Sequence, residues 1–598
     1  MALIVQKFGG TSVADSTKIL AAARKAIQAK QNGNQVVMVV SAMGKNTDVL
    51  VDLAHEIMPN PPAREMDMLL STGEQVSVAL VAMAIHSLGH KGVSLTGGQI
   101  GIRTDSTHTK ARIRSISTER MQRLLNDDCI VIAAGFQGID EDFNITTLGR
   151  GGSDTTAVAL AAVLGADSCE IYTDVEGVYT TDPRIVPEAR KIAEISYDEM
   201  LELASLGAGV MHSRSIEFAK KYDVPVHVRS SFAESPGTMI RGAVSGELRP
   251  VIGAALNRGE ARVTITNVPD VPGTSHEIFS RIAARNISVD MIVQNIGSGG
   301  KADISFTVPR SELAATLDAL KLTTFGWENC TVTHDDQVAK ISAVGTGMAH
   351  QPGVAQSMFG ALAAENINIQ MITTSEIKIS ALVQSEDAVP GLRTIHRIFQ
   401  LDAPSTNLPS SGGPAAAMQP TRTAAAQADI VASLQHVDME ELAITGIGLD
   451  DTQGRITIRG IPDRPGVAHH VFSDIAAAGI SVDMIIQSYR ADSLASLSFT
   501  VPRADVTRSE QIARKIAAEL GCQEVSSSPQ VAKLSVSGIG LRTHTGVAIR
   551  MFRALANAKI NVLLISTSEV RVNVVVDGSV GAQALQCLEA AFADVLRT

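Results

Sequence analysis

The stretch Lys7-Phe-Gly-Gly-Thr-Ser-Val13 places one lysine and two adjacent glycines just after a short apolar run, Ala2 to Val5. Two glycines after a strand let backbone N–H groups approach an anion closely, and the N-terminus of a following helix adds partial positive charge. The segment Asp15 to Gln31 predicts that helix, and the ammonium of Lys7 is mobile enough to reach a phosphate. The pattern indicates phosphate chemistry, although an ordinary strand-to-helix turn with a surface lysine would also fit it.

A second glycine-rich segment, Leu148-Gly-Arg-Gly-Gly-Ser-Asp154, follows the predicted strand Ile130 to Ala134. Its three glycines leave backbone amides exposed, and Arg150 offers a bidentate fork for a carboxylate or a phosphate. Ser153 and Asp154 are predicted to cap the next helix. A flexible loop with an N-cap explains the serine and the aspartate, but it does not explain three glycines around an arginine.

Two further segments supply polar side chains near a strand end or inside a helix. Ser41-Ala-Met-Gly44, with Thr47 nearby, follows the predicted strand Gln35 to Val40. Ser71-Thr-Gly-Glu74 lies in a predicted helix. A lone glutamate normally faces solvent, but this one is flanked by a glycine and an apolar run. That setting favours a pocket carboxylate that binds an ammonium group.

A fifth segment, Thr173 to Arg184, begins where the predicted strand Glu170 to Thr173 ends. It carries the candidate nucleotide ligands Thr173, Asp174, Tyr179, Asp182 and Arg184. A polar turn would have a similar composition, so both interpretations stay open on these residues alone. The chain has no GxxxxGK[ST] motif and no HRD or DFG motif, so a phosphotransferase would need the glycine-rich segments as its cradle.

The elements that would position these segments alternate from residue 1 to about residue 230. Besides those named above, the clearest strands and helices are Val93 to Leu95, Val224 to Val228, Glu65 to Leu88 and Thr155 to Leu164. Such alternation predicts an α/β domain, a mostly parallel sheet with helices on both faces. Ligands bind such sheets beyond the carboxyl ends of the strands, where the polar segments lie.

The remainder of the chain is a repeat. Four strings recur at an offset of 193 residues: Asn286–Gln294 at Gly479–Gln487, Ser305–Arg310 at Ser498–Arg503, Gln337–Lys340 at Gln530–Lys533, and Thr374–Glu376 at Thr567–Glu569. A unit of about 155 residues is therefore duplicated. Each unit is itself double, because Ile287 and Met291 match Ile367 and Met371 at an offset of 80.

The chain thus carries four modules of βαββαβ pattern, which resemble ACT domains, the α+β sensor modules of amino-acid biosynthetic enzymes. The first helix, Thr274 to Arg285, has Ile278, Phe279 and Ile282 on one face. The strand-like run Val251 to Leu256 recurs at Ile444 to Leu449, which suggests that it belongs to the repeat.

We divide the chain into an N-domain and four modules. The predicted boundaries are 1–247 for the catalytic N-domain, 248–335 and 336–402 for modules 1 and 2 (unit 1), 403–440 for a linker, and 441–528 and 529–598 for modules 3 and 4 (unit 2). The linker is rich in Pro, Ser, Gly and Ala, which predicts a flexible segment, with a short helix over Ala424 to Leu434.

Composition excludes several other classes. The chain has 598 residues, a net charge of −11 and no basic cluster, which argues against nucleic-acid binding. The longest apolar run, Val76 to Ile85, is short for a membrane span, and no signal-peptide pattern opens the chain. Five widely spaced cysteines without a CxxC predict reduced thiols in a cytoplasmic protein and no zinc framework.

The motifs KFGGTSV, STGE, GRGGSD and TDVEGVYTTDPR occur in this order, and ACT-like repeats follow them. Over its whole length the chain resembles the aspartate kinases of the amino-acid kinase family, of the single-function cytoplasmic type, with a doubled regulatory half. The resemblance implies the amino-acid kinase fold and ATP with Mg²⁺. It also implies transfer of the γ-phosphoryl group to the side chain of L-aspartate, the first step towards lysine, threonine and methionine. Because a carboxylate is already a nucleophile at pH 7, this chemistry needs no general base.

The resemblance also implies roles for matching residues. Lys7, Gly9 and Gly10 would hold the transferred phosphoryl group. Ser41 and Thr47 would lie on the substrate and phosphate side. Glu74 would bind the α-ammonium of aspartate, Arg150 its α-carboxylate, and the phosphates would be flanked by Gly152, Ser153 and Asp154. The residues that would surround ATP are Thr173, Asp174, Tyr179, Asp182 and Arg184.

One position departs from the family. Many relatives have a second lysine in the segment that here reads Gly207-Ala-Gly-Val-Met-His212, so Gly209 at this ATP-side position supplies no charge. The role of that lysine would fall to Lys7, Arg150, Mg²⁺ or backbone amides.

For the regulatory half, the resemblance implies lysine or threonine, or both, as effectors at interfaces between modules, and a homo-oligomer, a dimer, joined through the modules. In unit 1 we predict that Asp270, Gly273, Asp290 and Gln294 meet Asn368 and Ile369. In unit 2 we predict that Asp463, Gly466, Asp483 and Gln487 meet Asn561 and Val562. Asp290 and Asp483 are the predicted counter-charges for an effector's amino group, although residues of these types also cap turns.

Two alternatives remain at this stage. The chain could be another amino-acid kinase that acts on glutamate, acetylglutamate or a nucleotide, against which the first motif and the modules argue. It could also be an amino-acid sensor with a weak or inactive kinase domain, for which Gly209 is the only sequence feature.

Overall fold

A computed structural model describes residues 1–207, 210–242, 244, 249–296, 300–324, 327, 329–351, 353–403, 438–489, 494–541 and 546–596. Gly209 and nearly all of the predicted linker, with its helix over 424–434, lie outside these residues.

The N-domain has twelve strands among its described residues, and eight of them form one large sheet. Its strands are Leu3–Phe8 (β1), Gln35–Val40 (β2), Gly92–Leu95 (β3), Ile102–Thr104 (β4), Ile113–Ile116 (β5), Ile130–Ala134 (β6), Gln137–Ile139 (β7), Ile145–Thr147 (β8), Ser168–Thr173 (β9), Glu194–Ser196 (β10), Val226–Ser230 (β11) and Thr238–Arg241 (β12). Its helices are Ser16–Gln31 (α1), Asn46–Ile57 (α2), Ala63–Ser87 (α3), Gly97–Ile100 (α4), Glu119–Asn126 (α5), Gly152–Leu164 (α6), Tyr197–Ser205 (α7) and Ser213–Lys221 (α8).

The strand order of the large sheet is β10-β12-β11-β9-β1-β2-β6-β3, and β4, β5, β7 and β8 form a small second sheet. Only the β11–β12 pairing is antiparallel in the large sheet, which confirms the predicted mostly parallel α/β fold. β1 is fully central, because it pairs with β2 on one side and β9 on the other. The carboxyl ends of β1, β2, β6 and β9 therefore lie side by side. Three of the polar segments follow β1, β2 and β9, whereas Leu148–Asp154 follows β8 of the small sheet and Ser71–Glu74 lies within α3.

Among the described helices, α3 is long and apolar enough by length and composition to cross a membrane, with 56% of its apolar stretch buried in the fold. Its buried side chains include Val78, Val81 and Ile85, which share a hydrophobic core with Val36 and Met38 of β2. α3 is therefore packed as a core helix of the N-domain.

The regulatory half contains fourteen strands and eight helices in its described residues. The strands are Gly253–Asn257 (β13), Glu260–Pro269 (β14), Asp290–Ile296 (β15), Lys301–Pro309 (β16), Thr331–Asp335 (β17), Val338–Val344 (β18), Met371–Ser375 (β19), Lys378–Gln384 (β20), Ala443–Pro462 (β21), Ile485–Tyr489 (β22), Leu494–Pro502 (β23), Glu524–Ile539 (β24), Leu564–Thr567 (β25) and Arg571–Asp577 (β26). The helices are Thr274–Ala283 (α9), Leu313–Thr324 (α10), Val354–Ala364 (α11), Ala388–Ile398 (α12), Val467–Ala477 (α13), Val506–Leu520 (α14), Gly546–Asn557 (α15) and Gly581–Phe592 (α16).

The strands form a ten-stranded sheet, β13-β18-β20-β19-β22-β23-β21-β24-β26-β25, and a four-stranded sheet, β15-β16-β14-β17. β13 pairs with β18 of module 2 and not with module 1, so the strand that precedes module 1 does belong to the repeat. Its counterpart in unit 2 is the first part of β21, which pairs with β24 of module 4.

The modules pair across the two units, and this corrects the predicted pairing within each unit. β19 of module 2 pairs antiparallel with β22 of module 3. Module 1 packs against module 4, where the rings of Phe279 and Phe552 lie 5.8 Å apart. The same distance separates Phe359 and Phe472, their counterparts by the repeat. Units 1 and 2 therefore meet as the two halves of an isologous dimer do, inside one chain.

The prediction was wrong because the repeat leaves the partner ambiguous. Identical strings show which residues face a neighbouring module, but each string has the same complement in its own unit and in the other one. One buried core unites the four modules and contains Met291, Met371, Met484 and Leu564, one residue from each.

Candidate active site

The predicted phosphate site Lys7–Val13, which we call the clamp, lies at the end of β1. Lys7 and Phe8 belong to the strand, and residues Gly10–Val13 form a 3₁₀ turn before α1, whose N-cap is Asp15. The ammonium of Lys7 is 2.6 Å from Asp154 Oδ1, and both side chains are almost buried. This ion pair joins the two glycine-rich segments across the sheet, so Lys7 is held beside the start of α6.

The loop Ser41–Gly44 packs directly on the clamp. A Cβ on Gly10 would lie 2.7 Å from the carbonyl oxygen of Ala42, so only glycine allows this approach. The N–H of Gly44 donates to the carbonyl of Gly10 at 3.0 Å. Ser41 and Thr47 are half-buried at the two ends of this connection, Thr47 in the first turn of α2.

Glu74 lies on the other side of the same loop. Its Oε1 accepts a hydrogen bond from the N–H of Ala42 at 3.1 Å, whereas its buried Oε2 has no hydrogen-bond partner in the described structure. Burial raises the pKa of Glu74 to about 7, and the hydrogen bond from Ala42 opposes part of this rise. A buried, half-satisfied carboxylate is a ready partner for a cationic ligand.

The segment Leu148–Asp154 differs from prediction at its caps. The N-cap of α6 is Gly151, with φ of 74° and no side-chain cap, so Ser153 and Asp154 lie inside the first turn. The prediction that they cap the helix was therefore wrong, and Asp154 pairs with Lys7 instead. A Cβ on Gly151 would lie 2.2 Å from that of His212, and Gly152 begins the helix under similar crowding.

Arg150 projects from this segment into solvent. Its side chain is exposed and has no hydrogen bond or ion pair with any described residue. Its position is consequently set by the backbone on either side of it.

That backbone is held by Asp67 and Arg214, which the sequence analysis missed. The buried carboxylate of Asp67 accepts hydrogen bonds from His108 Nδ1, Thr109 N and Thr147 Oγ1 at 2.5–3.1 Å. Arg214 of α8 donates to the carbonyl of Leu148 at 2.6 Å. Neither residue stands in a motif, and both act through contacts that only the fold creates.

The predicted ATP ligands follow β9 but do not all converge. Thr173 Oγ1 donates to Asp174 at 3.1 Å, and Arg184 pairs with Asp182 at 2.7 Å. Arg184 therefore lowers the pKa of Asp182. Tyr179 lies farther along the chain, where its backbone forms an isolated antiparallel β-bridge with that of Lys191. The structure thus brings together the residues of the clamp, the Ser41 loop, Glu74 and the start of α6, and it leaves Arg184 and Asp182 paired with each other.

In the regulatory half, the predicted effector residues meet across units. Asn561 Nδ2 donates to Asp270 at 2.8 Å, and Gln294 Nε2 donates to the carbonyl of Val562 at 2.8 Å. The equivalent contacts join Asn368 to Asp463 at 2.9 Å and Gln487 to the carbonyl of Ile369 at 2.7 Å. Asp270 and Gln294 of unit 1 therefore meet Asn561 and Val562 of unit 2, and not Asn368 and Ile369 as predicted. The same exchange of partners holds for Asp463 and Gln487. Gly273 and Gly466 are the left-handed N-caps of α9 and α13.

Asp290 and Asp483, the predicted counter-charges, already have lysine partners. Lys340 pairs with Asp290 and, at 3.1 Å, with Glu260. Lys533 pairs with Asp483 at 2.5 Å. Each aspartate nevertheless lines a pocket at a cross-unit interface, with Ser568 and Glu569 beside Asp290 and with Ser375 and Glu376 beside Asp483.

The N-domain contacts modules 2 and 4 through α7. Glu202 is completely buried and pairs with Lys378 of module 2 at 2.7 Å. It also accepts a hydrogen bond from the N–H of Glu569 of module 4 at 3.1 Å. One helix of the N-domain therefore contacts one module of each cross-unit pair.

Comparisons with known proteins agree with this arrangement. A profile of the amino acid kinase family matches residues 2–230, and ACT domain profiles match residues 263–323, 341–399, 455–521 and 534–592. The aspartokinase of Pseudomonas aeruginosa is 50% identical over 408 residues, which are 68% of this chain and 99% of that protein. That of Geobacillus stearothermophilus is 51% identical over 402 residues, 67% of this chain and 98% of that protein.

Solved structures agree as well. The aspartate kinase of Synechocystis is 40% identical with a TM-score of 0.51, and the match covers 99% of this chain and 98% of that one. Escherichia coli aspartokinase III in complex with aspartate and ADP is 26% identical with a TM-score of 0.58, over 66% of this chain and 99% of that one. The chain therefore belongs to the aspartate kinases of the amino acid kinase family, phosphotransferases that use a carboxyl group as acceptor, with ACT domains in the regulatory half.

Proposed function

We propose that the N-domain transfers the γ-phosphoryl group of ATP to the side-chain carboxylate of L-aspartate and so commits it to lysine, threonine and methionine synthesis. The observation that carries the proposal is the single loop, Ser41–Gly44, between two complementary sites. Gly10 and Lys7 on one side suit an anion, and the unpartnered oxygen of Glu74 on the other suits an ammonium. A substrate with an amino group and a carboxylate would suit this pair of sites.

In this reaction the β-carboxylate of aspartate attacks the γ-phosphorus, one oxygen–phosphorus bond forms, and the bond to the β-phosphate oxygen breaks. The products are 4-phospho-L-aspartate and ADP. Glu74 binds the α-ammonium, and Arg150 takes the α-carboxylate with its free guanidinium fork. Lys7 and the amides of Gly9 and Gly10 neutralise charge on the transferred group, while Asp154 fixes the Lys7 ammonium.

ATP would enter from the end of β9, where Thr173 and Asp174 stand next to the clamp. Gly9 N donates to the carbonyl of Tyr172, so the clamp and this strand end are in contact. Mg²⁺ would accompany the nucleotide. The described residues contain no group of three or more acidic, His or Cys side chains arranged for a metal. Phosphate oxygens, water and one carboxylate would therefore supply most of its ligands, as Mg²⁺ commonly accepts.

The test is a hydroxylamine trap for the acyl phosphate, with ADP release followed in parallel. Purified protein with Mg²⁺, ATP and aspartate should yield aspartyl hydroxamate, and glutamate in its place should yield little. ADP release with glutamate alone would favour another substrate in the same fold. Absence of both products from folded protein would favour the sensor without kinase activity.

We further propose that lysine, threonine or both inhibit the enzyme at the cross-unit interfaces. The pocket that contains Asp290 also contains Glu569, and Glu569 contacts Glu202 of the N-domain. A ligand that moves Glu569 would thus act on α7, provided that it binds the two states of the enzyme unequally. Titration of activity with each amino acid, singly and together, tests this proposal, and identical activity throughout would contradict it.

A homo-oligomer joined through the modules also remains a proposal. The edges β19 and β22, which side-by-side ACT pairing would use, are already paired within the chain. A dimer would therefore use other module surfaces, and sedimentation velocity with and without effector measures the state directly.

A further inference from the structure

Residues 438–441, which stand just before β21 and unit 2, bind to the N-domain. Met439 is completely buried in the hydrophobic core of that domain. Its N–H donates to the carbonyl of Arg114 at 2.9 Å, and its own carbonyl accepts hydrogen bonds from Lys221 Nζ at 2.9 Å and Tyr222 Oη at 2.7 Å. We call residues 438–441 the strap.

The next residue of the strap places a carboxylate inside the N-domain. Glu440 accepts from Arg214 Nε at 2.7 Å and Nη2 at 2.5 Å, so the pair is bidentate. It also accepts from the N–H of Ile113 at 2.7 Å. The side chains of Arg214 and Glu440 are only 11% and 10% exposed, so water screens this ion pair weakly.

Another hydrogen bond of Arg214 holds the segment Leu148–Asp154, which we call the substrate loop. Arg214 Nη1 donates to the carbonyl of Leu148 at 2.6 Å, and its Nη2 donates to that of Ala111 at 2.7 Å. Leu148 is two residues before Arg150, whose side chain has no partner among the described residues. The guanidinium of Arg214 therefore ties the backbone before Arg150 to a carboxylate supplied by the regulatory half.

We propose that Glu440 is a positioning residue for aspartate binding and acts through Arg214 on the loop that carries Arg150. The proposal rests on the function proposed above, in which Arg150 binds the α-carboxylate. Glu440 is three residues before β21, so a shift of unit 2 pulls directly on this ion pair. The strap gives unit 2 a path to the substrate loop that does not pass through α7.

Glu440→Gln tests the proposal, because the amide keeps an acceptor for Ile113 but weakens the bond to Arg214. We expect the KM for aspartate to rise about tenfold, as the loss of a charge-assisted hydrogen bond predicts, while the KM for ATP changes less than about twofold. Glu510→Gln is the matched control, since Glu510 pairs with Arg514 within unit 2. It should leave both constants unchanged.

Because KM does not depend on the fraction of folded enzyme, partial misfolding does not obscure the result. If Glu440→Gln leaves too little activity, the double variant Arg214→Met, Glu440→Met removes both charges, which buried pairs tolerate far better than the loss of one. It should show the same selective rise. An unchanged aspartate KM, or equal rises for aspartate and ATP, overturns the positioning role.

Arg150→Lys separates this outcome from a failure of the proposed function. A strong rise of the aspartate KM in Arg150→Lys with no effect in Glu440→Gln rejects only the strap. No effect in Arg150→Lys rejects the assignment of the α-carboxylate on which the strap depends.

Discussion

At the scale of single residues, Glu74 combines burial, an unsatisfied oxygen and a raised pKa of about 7. Only its ionised form attracts the substrate ammonium. We therefore expect kcat/KM for aspartate to rise between about pH 6 and pH 8, around that pKa. Glu74→Gln should lose most of this rise and have a higher KM for aspartate. Steady-state kinetics at fixed ionic strength check both, and a pH profile shared by the two enzymes would contradict the assignment.

The same shift predicts a stability change of opposite sign. The folded protein keeps the Glu74 proton up to about pH 7, whereas the unfolded chain releases it near 4.5. The free energy of unfolding therefore falls as pH rises through this window and is lowest above it. By this linkage Glu74→Gln gains up to about 3 kcal/mol at pH 8 and little at pH 4.5. Urea unfolding at the two pH values measures the difference.

Lys7 is the residue on which phosphoryl transfer depends most. Lys7→Met should lower kcat by about 10²–10³, the usual loss when one charge-stabilising donor is removed from a transition state. The variant leaves the nearly buried Asp154 without this partner, so its folding is measured alongside its kinetics. Circular dichroism with single-turnover assays checks both, and a variant that loses only affinity for ATP would assign Lys7 to nucleotide binding.

Lys7, Glu74 and Arg150 could be chosen as candidates from the sequence. Lys7 and Arg150 are charged residues among glycines, and Glu74 is a charged residue in an apolar helix, and both settings are unusual. Asp67, Arg214 and Glu440 were not predictable. Each is an ordinary charged residue in its own segment, and Arg214 meets Glu440 across 226 residues of chain. Their roles arise from burial, which no local pattern encodes.

At the scale of elements, the junction between Leu148–Asp154 and α6 depends on one left-handed residue. Gly151 has φ of 74°, and a Cβ there would enter the side chain of His212 at the start of α8. Gly151→Ala should destabilise the protein by about 1–3 kcal/mol and displace Ser153 and Asp154. Thermal unfolding and kcat measure these effects. The matched control is Gly33→Ala, with φ of 89° but no atom within 4 Å of its Cβ, which should lower stability less and leave kcat unchanged.

The alternation of apolar strands and amphipathic helices predicted the α/β sheet correctly. Central parallel strands are buried on both faces, so they stand out in the sequence as continuous apolar runs. The caps of α6 and the partners of the modules were the errors. In the first case a glycine replaced the expected serine because His212 leaves no room for a side chain. In the second, duplicated strings offered two equivalent partners, and only the three-dimensional packing distinguishes them.

At the scale of the whole molecule, the duplicated unit does more than add binding sites. Because units 1 and 2 exchange partners, every regulatory interface contains one module from each, and a change in either unit reaches both interfaces. Two buried contacts of the N-domain with this assembly are the strap at Glu440 and the end of α7 at Glu202. Burial raises the pKa of Glu202, and its ion pair with Lys378 opposes this rise.

Glu202 supplies the last prediction. Its carboxylate joins Lys378 of module 2 to the backbone of Glu569 in module 4, so it is sensitive to both interfaces. Removing it alone would leave Lys378 buried without this partner, so the test is the double variant Glu202→Gln, Lys378→Met. We expect kcat and KM without effector to change less than about twofold. The effector concentration for half-inhibition should rise about tenfold, within the usual range of coupling free energies.

The matched control is Glu365→Gln, which removes an exposed pair with Arg397 in module 2 and touches no residue of the N-domain in the described structure. Its inhibition curve should match that of the unmodified protein. Calorimetric titration of the effector distinguishes the two causes of a shifted curve. If binding to the double variant is unchanged while inhibition weakens, Glu202 carries the signal between domains. If binding weakens by the same factor, Glu202 and Lys378 only shape the pocket, and the strap is a route from unit 2 to the substrate loop that this variant leaves intact.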